Sequence, residues 1–295
     1  MKKKSYFCQQ NKKQRYMSEQ DQLIGIHPQA PHLFGLWWQS NDLPPAANKK
    51  HRMLEEDVTY RTAAVDVLAQ WIVDYHAHKH QLRRITEQKA ILDKYRLGKY
   101  VDKLKILPTS DKTQKGNLGE IVLIEYLKKS RGFIPYVHKL QYNPNSNQSM
   151  KGDDVLLFNP NDLNSEVIYG ECKFRSKPSK QVVKDIINNL EGDERFPASI
   201  EFVANVLEDR GQYELADAIT DLHIKIADMV VPVTNIGFLI STKSATRASD
   251  DTTKTVEKHL NTTNPRFVMI SLGIDNPTQI VIDAFKKADA ILKTV

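Results

Sequence analysis

The chain has 295 residues, of which 40% are hydrophobic and 26% are charged. This composition is typical of a globular protein, and the length is sufficient for one large domain or two smaller ones. No apolar run approaches the roughly 20 residues of a membrane helix, and the mean hydropathy is −0.49, which argues against a membrane protein. The two cysteines, Cys8 and Cys172, are too few for a disulfide scaffold or an all-cysteine zinc site. With no secretory signal at the N-terminus, we expect a cytoplasmic protein.

The net charge of +6 comes entirely from the first residues of the chain. Residues 1–16 contain six basic side chains and no acidic ones, and removing these six from the total of 42 leaves 36 basic against 36 acidic side chains. Met17 offers a second plausible start, so residues 1–16 are either an upstream extension or a basic arm. The overall charge therefore does not by itself indicate a nucleic-acid partner.

The N-terminal part of the chain is predicted to be mostly helical. Residues 25–50 are rich in proline and contain Trp37 and Trp38, which is typical of an ordered loop or a docking segment. Apolar residues at helical spacing predict a helical stretch over residues 55–97. The members of this apolar stripe are Val65, Leu68, Ile72, Tyr75, Leu82 and Ile85.

Three histidines interrupt this helical stretch at positions 76, 78 and 80. His76 and His80 are one helical turn apart, but no third ligand accompanies them, so we expect a solvated histidine cluster and not a zinc site. Residues 98–115 are polar and predict a connector. We place a domain boundary near residue 110, with residues 1–110 as a helical, candidate partner-docking region and residues 111–295 as an α/β domain.

The second part alternates between helix and strand patterns. A helix is predicted over 117–130, ending at Gly132. Strands are predicted at 133–142, 152–158, 166–175, 235–241 and 266–272. Amphipathic helices are predicted at 179–191 and 212–229, a further helix between the last two strands, and a closing helix over 277–293.

The strand predicted at 166–175 has one apolar and one charged face. Side chains alternate along a strand, so Cys172 falls on the apolar face together with Ile168, Gly170 and Phe174. The opposite face carries Tyr169, Glu171, Lys173 and Arg175. Charges on a buried strand need partners or a metal ion. We therefore interpret Cys172 as a core residue and the Glu-x-Lys pair as a candidate site.

A second acidic motif precedes the strand at 152–158. If this strand pairs in an antiparallel sense with the next, Asp153 and Asp154 begin beside Glu171 and Lys173. Gly-x-Asp, an apolar strand and then Glu-x-Lys form the metal-site pattern of PD-(D/E)xK nucleases. Two carboxylates hold Mg²⁺, the metal activates water and polarises a phosphodiester, and the lysine orients that water. Each motif alone also fits a surface pair or a turn cap.

Further acidic and basic residues complete the predicted site. Glu120 lies on the inward stripe of the helix at 117–130 and is the candidate third acid, whereas Glu125 is a less favourable alternative. The candidate metal ligands are therefore Glu120, Asp154 and Glu171, with Mg²⁺ as the cofactor and Mn²⁺ as a substitute. A basic rim suited to a DNA backbone is predicted from the following residues. It comprises Lys151, Arg175, Lys177, Lys180 and Lys184.

Three blocks, GNLGEIVLIEYL, KGDDVLLF and YGECKFR, resemble the HamA family, the nuclease subunits of two-component Hachiman anti-phage defence systems. The resemblance covers residues 115–295 and implies a restriction-endonuclease-like mixed sheet of the PD-(D/E)xK superfamily. It implies that Glu120, Asp154, Glu171 and Lys173 are the catalytic residues, with Asp154 preferred over Asp153 because the family pattern reads Gly-x-Asp. It also implies a helicase–ATPase partner of the HamB type that restrains the nuclease.

Two other functions remain open from the sequence. The same core motif occurs in stand-alone restriction-type and junction-resolving nucleases. An inactive nuclease fold that serves as a DNA-binding adaptor is the alternative from a different class, although Asp154, Glu171 and Lys173 are all present. Co-purification of an ATPase would favour the two-component nuclease over a stand-alone nuclease. Loss of metal binding on changing Glu171 would favour either nuclease over an inactive adaptor.

Overall fold

The computed structural model describes residues 17–44, 49–95, 106–148, 152–192, 198–244 and 246–294. Within these ranges six strands form one sheet in the order β1-β2-β6-β5-β4-β3. Strands β2, β6, β5 and β4 run parallel, and β1 and β3 pair antiparallel at the two edges. The strands are β1 Trp38–Asp42, β2 His51–Glu56, β3 Val155–Phe158, β4 Val167–Phe174, β5 Val233–Thr242 and β6 Phe267–Ile274.

Helices cover both faces of this sheet, as the buried parallel strands require. Alternate residues of β5 enter opposite layers: Phe238 packs with one group of helices and Leu239 with the other. The first layer contains α3 Arg61–His76, α5 Asp111–Arg131 and α10 Pro277–Thr294, and the second contains α6 Lys180–Glu191, α7 Ala198–Asp209, α8 Tyr213–Ala227 and α9 Thr252–His259. The remaining helices are α1 Glu19–Ile24, α2 Leu33–Trp37 and α4 Lys79–Lys94.

The N-terminal part of the chain contributes strands as well as helices, which the sequence analysis did not predict. Strands β1 and β2 lie on the same sheet as the later strands, and β2 pairs directly with β6. The buried Arg52 of β2 forms ion pairs with Asp21, at 2.6 Å, and with Asp42, at 2.7 Å. Residues on both sides of position 110 thus build one sheet, and the proposed division into two domains stays a prediction.

The tryptophan pair lies in the core of the protein, so it cannot serve as a docking surface. Trp37 and Trp38 are only 1% and 2% exposed. Trp38 stacks on Phe34 with 4.4 Å between ring centroids, and Trp37 Nε1 donates to Glu56 Oε1 at 3.2 Å. Residues 25–50 were predicted as a loop, whereas α2 and β1 lie within them. Both indole rings are core side chains that anchor this segment to the sheet.

Two further predictions differ from the structure, and one helix of the structure was not predicted. The strand predicted at 133–142 is wrong: Ile134 makes one bridge to Phe158, and residues Lys139–Tyr142 form a short 3₁₀ helix. Pro135 lacks an amide hydrogen, so this segment cannot continue a ladder. The sequence analysis did not predict helix α7. His76 is buried against Asn117, with 2.8 Å between His76 Nε2 and Asn117 Nδ2, whereas the expected solvent exposure holds for His78 and His80.

The other predicted elements are confirmed to within six residues of their bounds, apart from the stretch 55–97, where α3 and α4 are separate helices. Helix α5 ends at Gly132, whose φ of +78° is the left-handed conformation that glycine adopts at helix ends. None of the helices in the described ranges is long and apolar enough to cross a membrane. The expectation of a cytoplasmic location stays a prediction.

Candidate active site

The candidate site lies at the edge of the sheet where β3 begins. Strand β3 pairs with only the first half of β4, from Val155 opposite Gly170 to Phe158 opposite Val167. The residue before β3, Asp154, therefore comes level with Glu171, as the antiparallel pairing predicted. Asp154 Oδ2 accepts a hydrogen bond from the main-chain amide of Cys172 at 2.8 Å. Its carboxylate is thereby fixed against the edge of β4, beyond the last pair of the ladder.

Glu171 and Lys173 lie on the same side of β4 and contact each other. Lys173 Nζ donates to Glu171 Oε1, and the same oxygen accepts a hydrogen bond from Asn189 Nδ2 of α6 at 2.7 Å. Glu171 is buried and Lys173 is half-buried. The buried carboxylate is therefore matched by one ammonium group and one amide, as a charge inside a protein requires.

Glu120 approaches the same edge from helix α5 because this helix packs very closely on β4. A Cβ atom built on Gly170 would lie 2.9 Å from Leu123 Cδ2, and one on Gly119 would lie 3.5 Å from Cys172 Cβ. The small residues thus allow the helix and strand backbones to approach. Glu120 Oε2 forms an ion pair with Lys139 Nζ at 3.0 Å, and Lys139 Nζ also donates to the main-chain oxygen of Asp153 at 2.8 Å.

The charges at this edge perturb one another. Burial raises the pKa of Glu120 first, Lys139 opposes the rise, the negative charges of Asp154 and Glu171 add to it, and the net pKa is about 7. The pKa of Asp154 is also raised, first by burial and then by the negative charge of Glu171. Burial acts to lower the pKa of Lys139, but the attraction of Glu120 and Asp154 outweighs it and raises that pKa. Three carboxylates are thus close enough to repel one another.

This donor set suits a hard cation. Carboxylate and carbonyl oxygens are the ligands of Mg²⁺, which is commonly held by one or two carboxylates with water completing its coordination. Asp154 and Glu171 supply two such carboxylates. Across the described part of the chain, no three histidine, cysteine or acidic side chains gather tightly enough to hold a metal ion. The structure therefore fits a two-carboxylate magnesium site, with Glu120 engaged by Lys139.

Comparison with known proteins identifies the family to which the chain belongs. The family model of HamA matches residues 31–288. The Hachiman protein HamA of Bacillus cereus is 40% identical over 276 residues, which cover 94% of this chain and 97% of that protein. The chain belongs to the HamA family. This confirms the resemblance stated from the three sequence blocks. The family match also begins well before residue 115, where that resemblance started, so β1, β2 and α3 are part of the HamA region.

Two further residues of this HamA-family chain, Glu125 and Cys172, were not favoured as catalytic groups by the sequence. Glu125, the less favourable candidate on α5, accepts hydrogen bonds from Tyr75 at 2.6 Å and from Lys128 at 2.5 Å. Cys172 points into the core on the α5 side of the sheet, as predicted from the alternation along β4. Burial, followed by the negative charge of Asp154, raises the pKa of its thiol well above the usual value. The thiol is therefore a poor nucleophile.

The residues of the predicted basic rim are exposed where the structure describes them, and their arrangement around the acids stays a prediction. Arg175, Lys177 and Lys180 are exposed, and Lys177 Nζ lies 3.7 Å from Asp250. Lys151 lies outside the described residues. Lys180 and Lys184, two members of the predicted rim, come close to His259 together with Lys49 and Lys258, which the sequence analysis did not identify. Burial and then these four ammonium groups lower the pKa of His259. These four lysines are called the His259 patch.

Sequence reasoning also missed three residues that contact the acidic group or its flanks. These are Lys139, Asn189 and Ser199, whose Oγ accepts from the amide of Asp153 at 2.7 Å. Each lies on a different segment, far along the chain from the residue it contacts. A polar residue of this kind has no periodic pattern that would single it out, and only the tertiary fold brings it to the site.

Proposed function

We propose that this HamA-family protein is a Mg²⁺-dependent DNA nuclease of the PD-(D/E)xK type. The observation that carries the proposal is the meeting of Asp154 with Glu171 beside Lys173 at one edge of the sheet. Paired carboxylates next to an ammonium group are the arrangement that metal-assisted phosphodiester hydrolysis needs. If the three residues had only a structural role, their charges would simply need to cancel. One acid and one lysine would achieve that, so a structural role does not explain the second carboxylate.

Each residue has a defined role in this proposal. Asp154 and Glu171 would hold Mg²⁺, or Mn²⁺ in its place, with Glu120 as a third carboxylate near the same edge. The bound ion would polarise the phosphodiester and lower the pKa of a water molecule. Lys173 orients the attacking water and offsets the negative charge that develops on the phosphate. Asn189 positions Glu171 through its hydrogen bond.

The exposed lysines support DNA as the substrate. Ammonium groups bind phosphate oxygens without reading the base sequence, which suits a nuclease that acts on many sequences. In the His259 patch, four lysines from three separate segments come together although the chain after residue 16 has no net charge. We propose that this patch contacts the DNA backbone alongside Arg175 and Lys177.

Cleavage of plasmid DNA by the purified full chain tests the catalytic proposal. We expect cleavage with Mg²⁺ or Mn²⁺ and none with a chelator. Lys173→Ala and Glu171→Ala should each lower the rate by orders of magnitude while the far-UV spectrum and melting temperature show a folded protein. A wild-type protein that binds DNA but never cleaves it with either metal ion would favour the alternative of an inactive adaptor.

We further propose that the protein is the effector of an anti-phage defence complex with a helicase–ATPase. The family assignment supports this, since its relative is named as a Hachiman protein. The partner would restrain the nuclease until it acts on its own DNA substrate. Any docking surface in the N-terminal part must use exposed residues, because Trp37 and Trp38 are core side chains.

Co-expression of the full chain with the product of the neighbouring gene tests the partner proposal. Deleting residues 17–110 is unsuitable, since it would remove β1 and β2 from the sheet. We expect the tagged chain to retain an ATPase on an affinity column, and the complex to cleave less DNA than the free chain until ATP is added. Equal activity of free and complexed protein would support a self-sufficient nuclease.

A further inference from the structure

Lys139 reaches the acidic group from a segment that belongs neither to the sheet nor to α5. Its Nζ lies 3.0 Å from Glu120 Oε2 and 2.8 Å from the main-chain oxygen of Asp153. The negative charge of Asp154 also acts on it. A carboxylate and a carbonyl oxygen are the ligand types that a hard cation prefers. The ammonium group therefore occupies a position with the chemistry of a cation site.

The surroundings of Lys139 give its side chain room to leave this position. The residue opens the short 3₁₀ helix Lys139–Tyr142. It also borders a cavity of about 100 Å³ that lies between α5, β3 and α7. Residues lining the cavity include Ile121, Val137, Leu156, Ser199 and Phe202. The butylene chain of lysine can pack along such apolar walls while its ammonium group turns away from Glu120.

We propose that Lys139 competes with the divalent cation for Glu120 and the Asp154 end of the site, so that metal binding requires its ammonium group to withdraw. This inference rests on the proposed metal-dependent function. A monovalent and a divalent cation a few ångströms apart repel each other strongly at a site shielded from water. Lys139 therefore weakens metal binding at rest and neutralises the carboxylates while no metal is present. The chain itself thus contains a restraint on its activity.

Calorimetric titration of the full chain with Mn²⁺ at pH 8.5 tests this proposal without measuring cleavage. Lys139→Met keeps the length of the side chain and removes the charge, so it should bind Mn²⁺ at least about tenfold more tightly than the wild type. Lys128→Met is the matched control. It removes an ammonium group that pairs with an acid of the same helix, Glu125, outside the site. Its affinity for Mn²⁺ should equal that of the wild type.

Asp154→Asn separates failure of this inference from failure of the proposed site. If Asp154→Asn loses Mn²⁺ binding but Lys139→Met binds as the wild type does or more weakly, the competition by Lys139 is refuted and the metal site stands. If Asp154→Asn binds Mn²⁺ normally, the proposed metal site itself is wrong. Should Lys139→Met fail to fold, Lys139→Gln is used instead. Its melting temperature should rise more with Mn²⁺ than that of the wild type, and an equal or smaller rise would overturn the proposal.

Discussion

Replacing Glu120 by glutamine tests the electrostatics of the site through folding stability. Glutamine keeps the size and polarity of the side chain but cannot ionise. Burial raises the pKa of Glu120 from its usual value of 4.5 to about 7, in spite of the opposing charge of Lys139. One pKa unit corresponds to about 1.4 kcal/mol, so the shift corresponds to a stability change of about 3 kcal/mol across the titration.

The sign of this effect follows from where the proton is bound. In the unfolded chain Glu120 ionises near pH 4.5, whereas in the folded protein it keeps its proton until about pH 7. Between these values the folded state binds more protons than the unfolded state, so stability falls as the pH rises. The stabilisation is fully present below pH 4.5 and is lost by the time the pH has passed 7. The Glu120→Gln variant has no ionisable group at this position, so it does not lose this stabilisation as the pH rises.

Urea unfolding of both proteins between pH 4.5 and pH 8, in the presence of a chelator, measures the difference. The free energy of unfolding of Glu120→Gln relative to the wild type should increase with pH by up to about 3 kcal/mol. Groups remote from Glu120 titrate alike in both proteins and cancel in this comparison. If the two stability curves run parallel over this range, Glu120 is not a buried carboxylate held among like charges, and the reasoning fails.

Three other predictions concern the packing and the basic patch. Cys172→Ala should leave DNA cleavage unchanged and lower the free energy of unfolding by about 1 kcal/mol; loss of cleavage by a folded variant would show that the thiol takes part in the chemistry. Gly170→Ala should destabilise by about 1–3 kcal/mol in urea unfolding, because its Cβ would lie 2.9 Å from Leu123 and Val155 atoms; wild-type stability would contradict the close approach of α5. The double variant Lys180→Gln, Lys184→Gln should weaken DNA binding and reduce the salt slope by about 2; an unchanged slope would place the DNA elsewhere.

Much of the candidate site could be predicted because it depends on local order along two strands. The alternation along β4 separates Cys172 from Glu171 and Lys173, and the structure keeps that separation. The antiparallel hairpin then determines that Asp154 comes level with Glu171. Glu120 could be identified because helical periodicity places it on the inward stripe of α5. These inferences need only short stretches of chain.

The remaining parts depend on contacts between distant segments. Pairing of β2 with β6 joins residues more than 200 positions apart, from His51 opposite Met269 onward, and no local pattern indicates it. The tryptophan pair and its prolines resemble an exposed docking loop, yet the sheet buries both rings. Lys139 follows Pro135 in a segment predicted as a strand, and its contact with Glu120 arises only from the irregular path that this segment takes.

The rate of Mg²⁺-dependent DNA cleavage in Glu171→Gln and Glu125→Gln, measured side by side, tests the central claim most directly. Both changes remove one carboxylate charge and keep the side-chain shape, but only Glu171 lies beside Asp154 and Lys173, whereas Glu125 pairs with Tyr75 and Lys128. We expect Glu171→Gln to lose cleavage by orders of magnitude and Glu125→Gln to cleave at nearly the wild-type rate. Equal rates for the two variants would contradict the assignment of the catalytic site to this edge of the sheet.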